Sequence, residues 1–202
     1  MKRFITAFAV VVLTGVLAAA SAEGMQYGVR AGFNMNKLSA EDDLSMDMGT
    51  GFGAGFVMKY PLANRLNIVP EVNLLHRTLG KYEFGFFDLP VKFTISESVL
   101  SIPCMIQYQI SESQPFYLSG GIQLDIPFGT KMKMTVSGFS DSESISDLRS
   151  SIDFGIPLGF GYMINPNMIV DFRFVPYLTN IYKEGDSDVS LMSFSFGFNY
   201  FF

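Results

Sequence analysis

Large apolar and small polar residues alternate along nearly the whole chain. Over residues 189–202, Met192, Phe194, Phe196, Phe198, Tyr200 and Phe202 share one parity, while Ser193, Ser195, Gly197 and Asn199 share the other. A period of two identifies a β-strand, whose side chains point in turn to opposite faces. The same rhythm appears at residues 25–38, where Tyr27, Val29, Ala31, Phe33 and Met35 oppose Gly28, Arg30, Gly32 and Asn34. It returns at 49–60, with Phe52, Ala54, Phe56, Met58 and Tyr60 against Gly51, Gly53, Gly55 and Lys59. At 66–77, Ile68, Pro70, Val72 and Leu74 oppose Asn67, Glu71, Asn73 and Arg77. Four more runs follow at 98–110, 116–128, 151–164 and 168–179. In the clearest, Ile152, Phe154, Ile156, Leu158, Phe160 and Tyr162 face away from Asp153, Gly155, Gly159 and Gly161.

Eight strands are therefore predicted. Long polar connections follow the first, third, fifth and seventh, at 39–48, 78–97, about 129–150 and 183–188. Short turns follow the others, at Ala63-Asn64, at 111–115 and at Asn165-Pro166-Asn167. Alternating long and short connections on an even number of strands predict an all-β fold, an up-and-down antiparallel transmembrane β-barrel with short periplasmic turns and long external loops.

The strand charges indicate which face is the lumen. Arg30, Lys59, Glu71, Arg77, Asp125, Asp153, Asp171 and Arg173 all fall on the glycine- and serine-rich parity. An Arg or Lys facing lipid at the bilayer midplane costs about 2–4 kcal/mol, whereas inside a narrow barrel opposite charges can neutralise each other. These eight are the expected interior charge network, filling a barrel too small for an open channel. Lys37 and His76 break the parity, both at predicted outer rims. Tyr27, Tyr60, Tyr108, Tyr162 and Tyr200 lie on the apolar face near the predicted periplasmic strand ends, where rings with a polar tip favour the membrane–water boundary. They form the expected aromatic belt. Against this pattern, Pro70, Pro103, Pro127, Pro157 and Pro176 interrupt the strands, and each removes a ladder donor.

Composition narrows the class. Hydrophobic residues make up 49% and charged residues 16% of 202 positions, which excludes disorder. Lys2 and Arg3 precede an apolar run from Phe4 to Ala20, and Ala20-Ser21-Ala22 offers a small-x-small cleavage site. Residues 1–22 are thus expected to be a signal peptide and 23–202 the barrel domain. No later segment holds the ~18 continuous apolar residues that a spanning helix needs. Cys104 is the sole cysteine, so no intrachain disulfide is possible. Without Lys2 and Arg3, 12 basic residues remain against 19 acidic, which disfavours nucleic acid as a partner.

With the strands in place, the chain resembles the PorT-like outer-membrane β-barrel family of Bacteroidetes-type bacteria. The resemblance lies in Tyr27-Gly28-Val29-Arg30-Ala31-Gly32-Phe33-Asn34, Pro70-Glu71, Ser101-Ile102-Pro103, Asp153-Phe154-Gly155-Ile156, Asp171-Phe172-Arg173-Phe174 and Leu178-Thr179-Asn180-Ile181. It covers the whole mature chain, and Ser101 stands where members often carry Glu. It implies a bacterial outer-membrane location and, for some members, a role in assembling a secretion apparatus.

Catalytic chemistry has little support. The run Gly49-x-Gly51-x-Gly53-x-Gly55 has a period of two, wrong for a phosphate-binding strand-to-helix turn. His76 is the only histidine, and no sequence signature supplies it with a nucleophile. No cofactor or metal site is expected. The acidic excess lies in the predicted external connections, above all Glu41, Asp42, Asp43 and Asp47. The expected partners are outer-membrane lipid, the barrel-assembly machinery acting on the C-terminal strand, and an envelope or secretion protein. The expected role is structural or interactive, through the external loops. The rivals are an outer-membrane enzyme acting on lipid or peptide through His76, and a soluble lipocalin-like barrel, which would require the apolar face inside.

Overall fold

The computed structural model describes residues 24–40, 47–86, 89–136, 139–146, 149–181 and 189–202. The expected leader, the acidic run Glu41 to Asp43 and the connection at 183–188 lie outside them. The described elements are β1 (Gln26–Ala40), β2 (Asp47–Ala63), β3 (Leu66–Phe86), β4 (Leu89–Ser111), β5 (Gln114–Val136), β6 (Phe139–Ser144), β7 (Asp153–Gly155), β8 (Leu158–Asn165), β9 (Met168–Pro176) and β10 (Val189–Phe201).

Every pairing is antiparallel, in the order β4-β3-β2-β1-β10-β9-β8-β5, and β5 pairs back onto β4. The sheet therefore closes into a ring of eight positions, which removes its edges within the ring. The predicted sixth strand is present as two pieces, β7 and β8. Both pair with β5 in one register, Gly120 opposite Leu158 and Gln123 opposite Gly155.

The break between β7 and β8 falls at Ile156-Pro157. Pro157 has no N–H to donate, but its carbonyl still accepts from Gly121 N at 3.1 Å, and Ile156 N still donates to Pro176 O at 3.0 Å. One donor is lost and the register survives. Pro70 and Pro103 behave alike. Pairing of β2 with β3 stops after Val57–Glu71 and resumes at Tyr60–Ile68, and pairing of β3 with β4 skips from Pro70–Cys104 to Asn73–Ser101. Neither gap shifts the register.

Two expected loops are largely strand. Residues 78–97 continue β3 and β4 into a long hairpin, and 131–144 form the end of β5 and β6. Both extensions begin at bulges. On β3 the shift falls between Thr78 and Gly80. On β5, Ser98 opposes Phe128 but Ser96 opposes Lys131, so β5 carries an extra residue there, with Gly129 at φ 63. A left-handed backbone suits glycine, and paired bulges turn the strands at a barrel rim. Beyond the bulges, β3, β4, β5 and β6 form a sheet that projects past the ring.

The faces divide by parity. Phe52, Phe56, Leu74, Leu118, Phe160 and Phe196 point outward and are exposed, whereas Arg30, Glu71, Arg77, Asp125, Asp153, Asp171 and Arg173 are buried inside. The lipocalin-like rival, which needs the reverse, is set aside. The lumen is not polar throughout. Val57, Val69, Met105, Tyr117, Ile169 and Phe201 close the end nearest the short turns. Leu38, Leu79, Ile95, Val175, Tyr177, Ile181 and Leu191 close the other.

Because Phe56 lies 71% exposed on the outward face, Phe56→Lys should destabilise the barrel by about 2–4 kcal/mol in lipid. Urea unfolding in vesicles, followed by far-UV circular dichroism because the chain has no Trp, measures this. An unchanged midpoint would mean that this face does not meet hydrocarbon.

Candidate functional site: the luminal ion clusters and the rim

Two ion clusters occupy the lumen between the apolar end layers. In the inner one, nearer the short turns, Arg30 and Arg173 each grip a carboxylate with two nitrogens. Arg30 Nη1 and Nη2 donate to Asp171 at 2.5 and 2.8 Å. Arg173 Nη2 and Nη1 donate to Glu71 at 2.7 and 3.1 Å. Arg173 Nε also reaches Asp171 at 2.9 Å, and Arg30 Nε lies 3.7 Å from Glu71. Asn199 Nδ2 donates to Asp171 at 2.7 Å and Asn73 Nδ2 to Glu71 at 3.0 Å. Two cations meet two anions, so the cluster is neutral, and the amides use the remaining lone pairs. Strand geometry makes room for it: a Cβ on Gly197 would stand 2.1 Å from Arg30 Nη2.

The outer cluster centres on Arg77. Its Nε donates to Glu97 at 2.9 Å, Nη1 to Asp125 and to Tyr177 Oη at 3.1 Å each, and Nη2 to Asp153 at 3.3 Å. Arg149 enters from the segment between β6 and β7. It holds Glu97 at 2.8 and 3.0 Å and Asp153 at 2.7 and 2.6 Å, and caps Ile181 O at 3.1 Å. Asp125 and Asp153 stand directly opposite each other in the β5–β7 ladder. Like charges so placed repel, and the Arg77 guanidinium, which bonds both carboxylates, offsets that penalty while Arg149 adds a second cation on Asp153. Three carboxylates face two arginines, and donors from Tyr177 Oη at 2.5 Å and Gln123 Nε2 at 3.0 Å serve the third, Asp125. Burial works against the Arg149 charge, but its bonds to Asp153 and Glu97 outweigh that and raise its pKa above the ordinary value.

Seven of the eight anticipated interior charges thus meet in two groups, and Lys59 stands apart. It is half-buried near the end of β2, with Nζ 5.9 Å from the centre of the Phe201 ring. Glu97, Arg149 and Tyr177 were not anticipated. Glu97 does share the inward parity of Ser101 and Gln107, a signal visible once β4 is extended past residue 98. Arg149 lies outside any strand, so no parity marks it.

A cavity of about 60 Å³ remains beside the clusters, lined in part by Arg30, Asn73, Arg77, Ser101, Gln123 and Arg173. It has room for a few water molecules. Among the described residues no group of His, Cys, Asp and Glu suits a metal ion.

On the outer surface, Tyr27, Tyr108, Tyr162 and Tyr200 are exposed and Tyr60 is half-buried. All five lie near the short turns or the ends of β1 and β10. Arg65, in the β2–β3 turn, hydrogen-bonds the Tyr108 hydroxyl and lies 4.8 Å from its ring centre. His76 is exposed, with Nδ1 3.3 Å from Ser98 Oγ and its ring 6.1 Å from that of Phe52. The Gly49–Gly55 run lies within β2, between β1 and β3.

Removing Arg77 would leave Glu97, Asp125 and Asp153 buried with Arg149 as their one remaining cation. Arg77→Ala should therefore cost about 3–5 kcal/mol, and Ser140→Ala on the exposed surface should change stability by no more than about 0.5 kcal/mol. Urea unfolding in vesicles compares the two, and equal midpoints would deny the cluster a stabilising role.

Residues 19–183 match the family model described as outer membrane protein beta-barrel domain. No curated protein matches the chain. Among solved structures, Neisserial surface protein A is 19% identical, with a TM-score of 0.52 over 89% of this chain and 100% of that one. Ail of Yersinia pestis, determined in complex with the heparin analogue sucrose octasulfate, is 16% identical, with a TM-score of 0.49 over 88% and 99%. The outer membrane protease OmpT of Escherichia coli is 8% identical, with a TM-score of 0.42 over 88% and 95%. At 19% identity, what Neisserial surface protein A shares with this chain is fold. The family match, the closed ring and its apolar exterior agree, and the chain belongs to the outer membrane protein beta-barrel domain family, a small barrel of the bacterial outer membrane.

Proposed function

We propose that this barrel is an envelope interaction protein whose working surface is the sheet projecting beyond the rim, and that its lumen neither conducts nor catalyses. The observation that carries the reading is the outer edge of β6. Among the described residues, Phe139–Ser144 pairs with β5 alone, so a row of backbone donors and acceptors is open to an added strand. Ser140, Asp141, Ser142 and Glu143 are exposed along it and suit a water-facing partner rather than lipid. The partner class is an envelope or secretion protein. The PorT-like resemblance favours the latter, as an accessory to secretion. Lipid surrounds the barrel, and β10 is the strand offered to the barrel-assembly machinery. The apolar layers at both ends and the ion clusters between them support a plugged interior.

A photo-crosslinker at Ser142 should give a discrete protein adduct in intact cells, and one at Asn64 in the opposite turn should not. No adduct at Ser142 would remove the edge as a contact. Planar-bilayer recordings of the purified barrel should show no steady conductance, and an open channel would end the plugged reading.

A second reading, hydrolysis of lipid or peptide, is favoured by the approach of His76 to Ser98. Against it, no carboxylate among the described residues hydrogen-bonds the imidazole, so nothing orients the base. If the pair works, His76→Ala and Ser98→Ala each abolish hydrolysis of a phospholipid or peptide substrate. Equal turnover in both variants and the parent would eliminate it.

A further inference from the structure

Beyond the rim, the projecting sheet sorts its charges by face. His76, Ser98 and Phe128 form one outward row across β3, β4 and β5. The next row outward is Thr78–Ser96–Lys131, and the one after it is Asp47–Lys81–Thr94–Lys133–Ser142. Lys81, Lys131 and Lys133 are all exposed. Residues of the other parity face the barrel axis. Ile95 is buried there against the outer apolar layer, with Met132 packed on it. The β6 acids Glu143 and Asp141 stand opposite Met132 and Met134, on that same side. Those two rows thus present three lysines against one carboxylate, Asp47, which stands opposite Lys81. Lys92 shares the face, opposite Glu83 in the ladder. In a chain with a net charge of −5, this local excess of cations does not follow from composition.

The height of these rows matches a particular layer of the membrane. On β4, ten residues separate Tyr108, in the inner belt, from Ser98. At about 3.3 Å per residue and a tilt of about 40°, they span about 25 Å, the height of the apolar band on an outer-membrane barrel. Lys131 follows in the next row, where the interfacial layer adds about 5–8 Å beyond the hydrocarbon. Lys81 and Lys133 stand one row higher, and their flexible stems let the ammonium groups reach back to that level.

We infer that the outward face of β3, β4 and β5 just beyond the rim is a headgroup-binding surface, with Lys81, Lys131 and Lys133 holding the phosphates of anionic lipid in the outer leaflet. The lysines continue the lipid-facing surface of the same three strands, so the molecules beside them are those whose tails pack on Phe128 and Leu100. The inference does not depend on any partner at the β6 edge.

The test uses the full barrel in zwitterionic detergent, with fluorescent diphosphorylated lipid A as the probe. Dephosphorylated lipid A, phosphatidylcholine and inorganic phosphate serve as competitors. The triple variant Lys81→Gln, Lys131→Gln, Lys133→Gln should bind the probe roughly a hundredfold more weakly, about fivefold per lysine. Asp141→Asn with Glu143→Gln, on the opposite face, should leave binding unchanged. Heat-modifiable gel mobility confirms that each variant is folded. Equal binding by the triple variant overturns the inference, as does displacement of the probe by the dephosphorylated lipid as readily as by the phosphorylated one. Tight binding of inorganic phosphate alone would identify a free-anion site instead and overturn it equally.

Discussion

One guanidinium, that of Arg77, touches carboxylates from β4, β5 and β7 in a lumen sealed at both ends by apolar side chains. An ion in such a place is cut off from bulk water and headgroups, and the effective penalty is several kcal/mol unless a partner is within hydrogen-bonding reach. Neutralisation is therefore a constraint on the whole barrel. The strands must arrive in a register that sets Arg30 against Asp171, Arg173 against Glu71, and Arg77 with Arg149 against three acids. A slip of one residue in any strand would reverse its faces, sending ions into lipid and aromatic rings into the core. The clusters thus contribute specificity of register whatever their net contribution to stability.

That constraint explains how the prolines are tolerated. Pro70, Pro103 and Pro157 each remove a ladder donor, but none is accompanied by a bulge, and pairing resumes in the same register on either side. The ladder can lose individual bonds because register is also held by side chains inside. Register also shifts beside the short turns, at Pro61–Ala63, Gln109–Ser111 and Met163–Asn165, but at the shifts of Thr78–Gly80 and Gly129 the ring gives way to the projecting sheet. These last two bulges lie at the rim, just beyond the outward row of His76, Ser98 and Phe128, and they mark the boundary between membrane-spanning and external structure.

Beyond that boundary the sheet meets two environments at once. Its axial face covers the barrel mouth with Ile95 and Met132, and its outer face carries lysines where the hydrocarbon ends. The same alternation that separates lipid from lumen below the rim separates lysines from the β6 acids above it. A single period of two therefore serves two different solvents along one strand.

The period of two also decided what the sequence alone could determine. Side-chain parity is local, so the eight ring positions, the lumen-facing Arg30, Glu71, Arg77, Asp125, Asp153, Asp171 and Arg173, and the outward aromatic face could be read from single strands. Parity does not say where a strand ends when polar residues continue past the membrane, so the hairpins at 78–97 and 131–144 looked like loops. Nor does it say which charges meet. Arg149 belongs to no strand, Glu97 lay beyond the predicted end of β4, and Lys59 has the inward parity but sits beside Phe201, away from every carboxylate of the two clusters. Those outcomes depend on ring closure, which brings β5 and β7 beside β3 and β4 and folds the segment after β6 back into the lumen. Contacts between residues as far apart as Arg30 and Asp171 are set by that closure and by nothing in the neighbouring sequence.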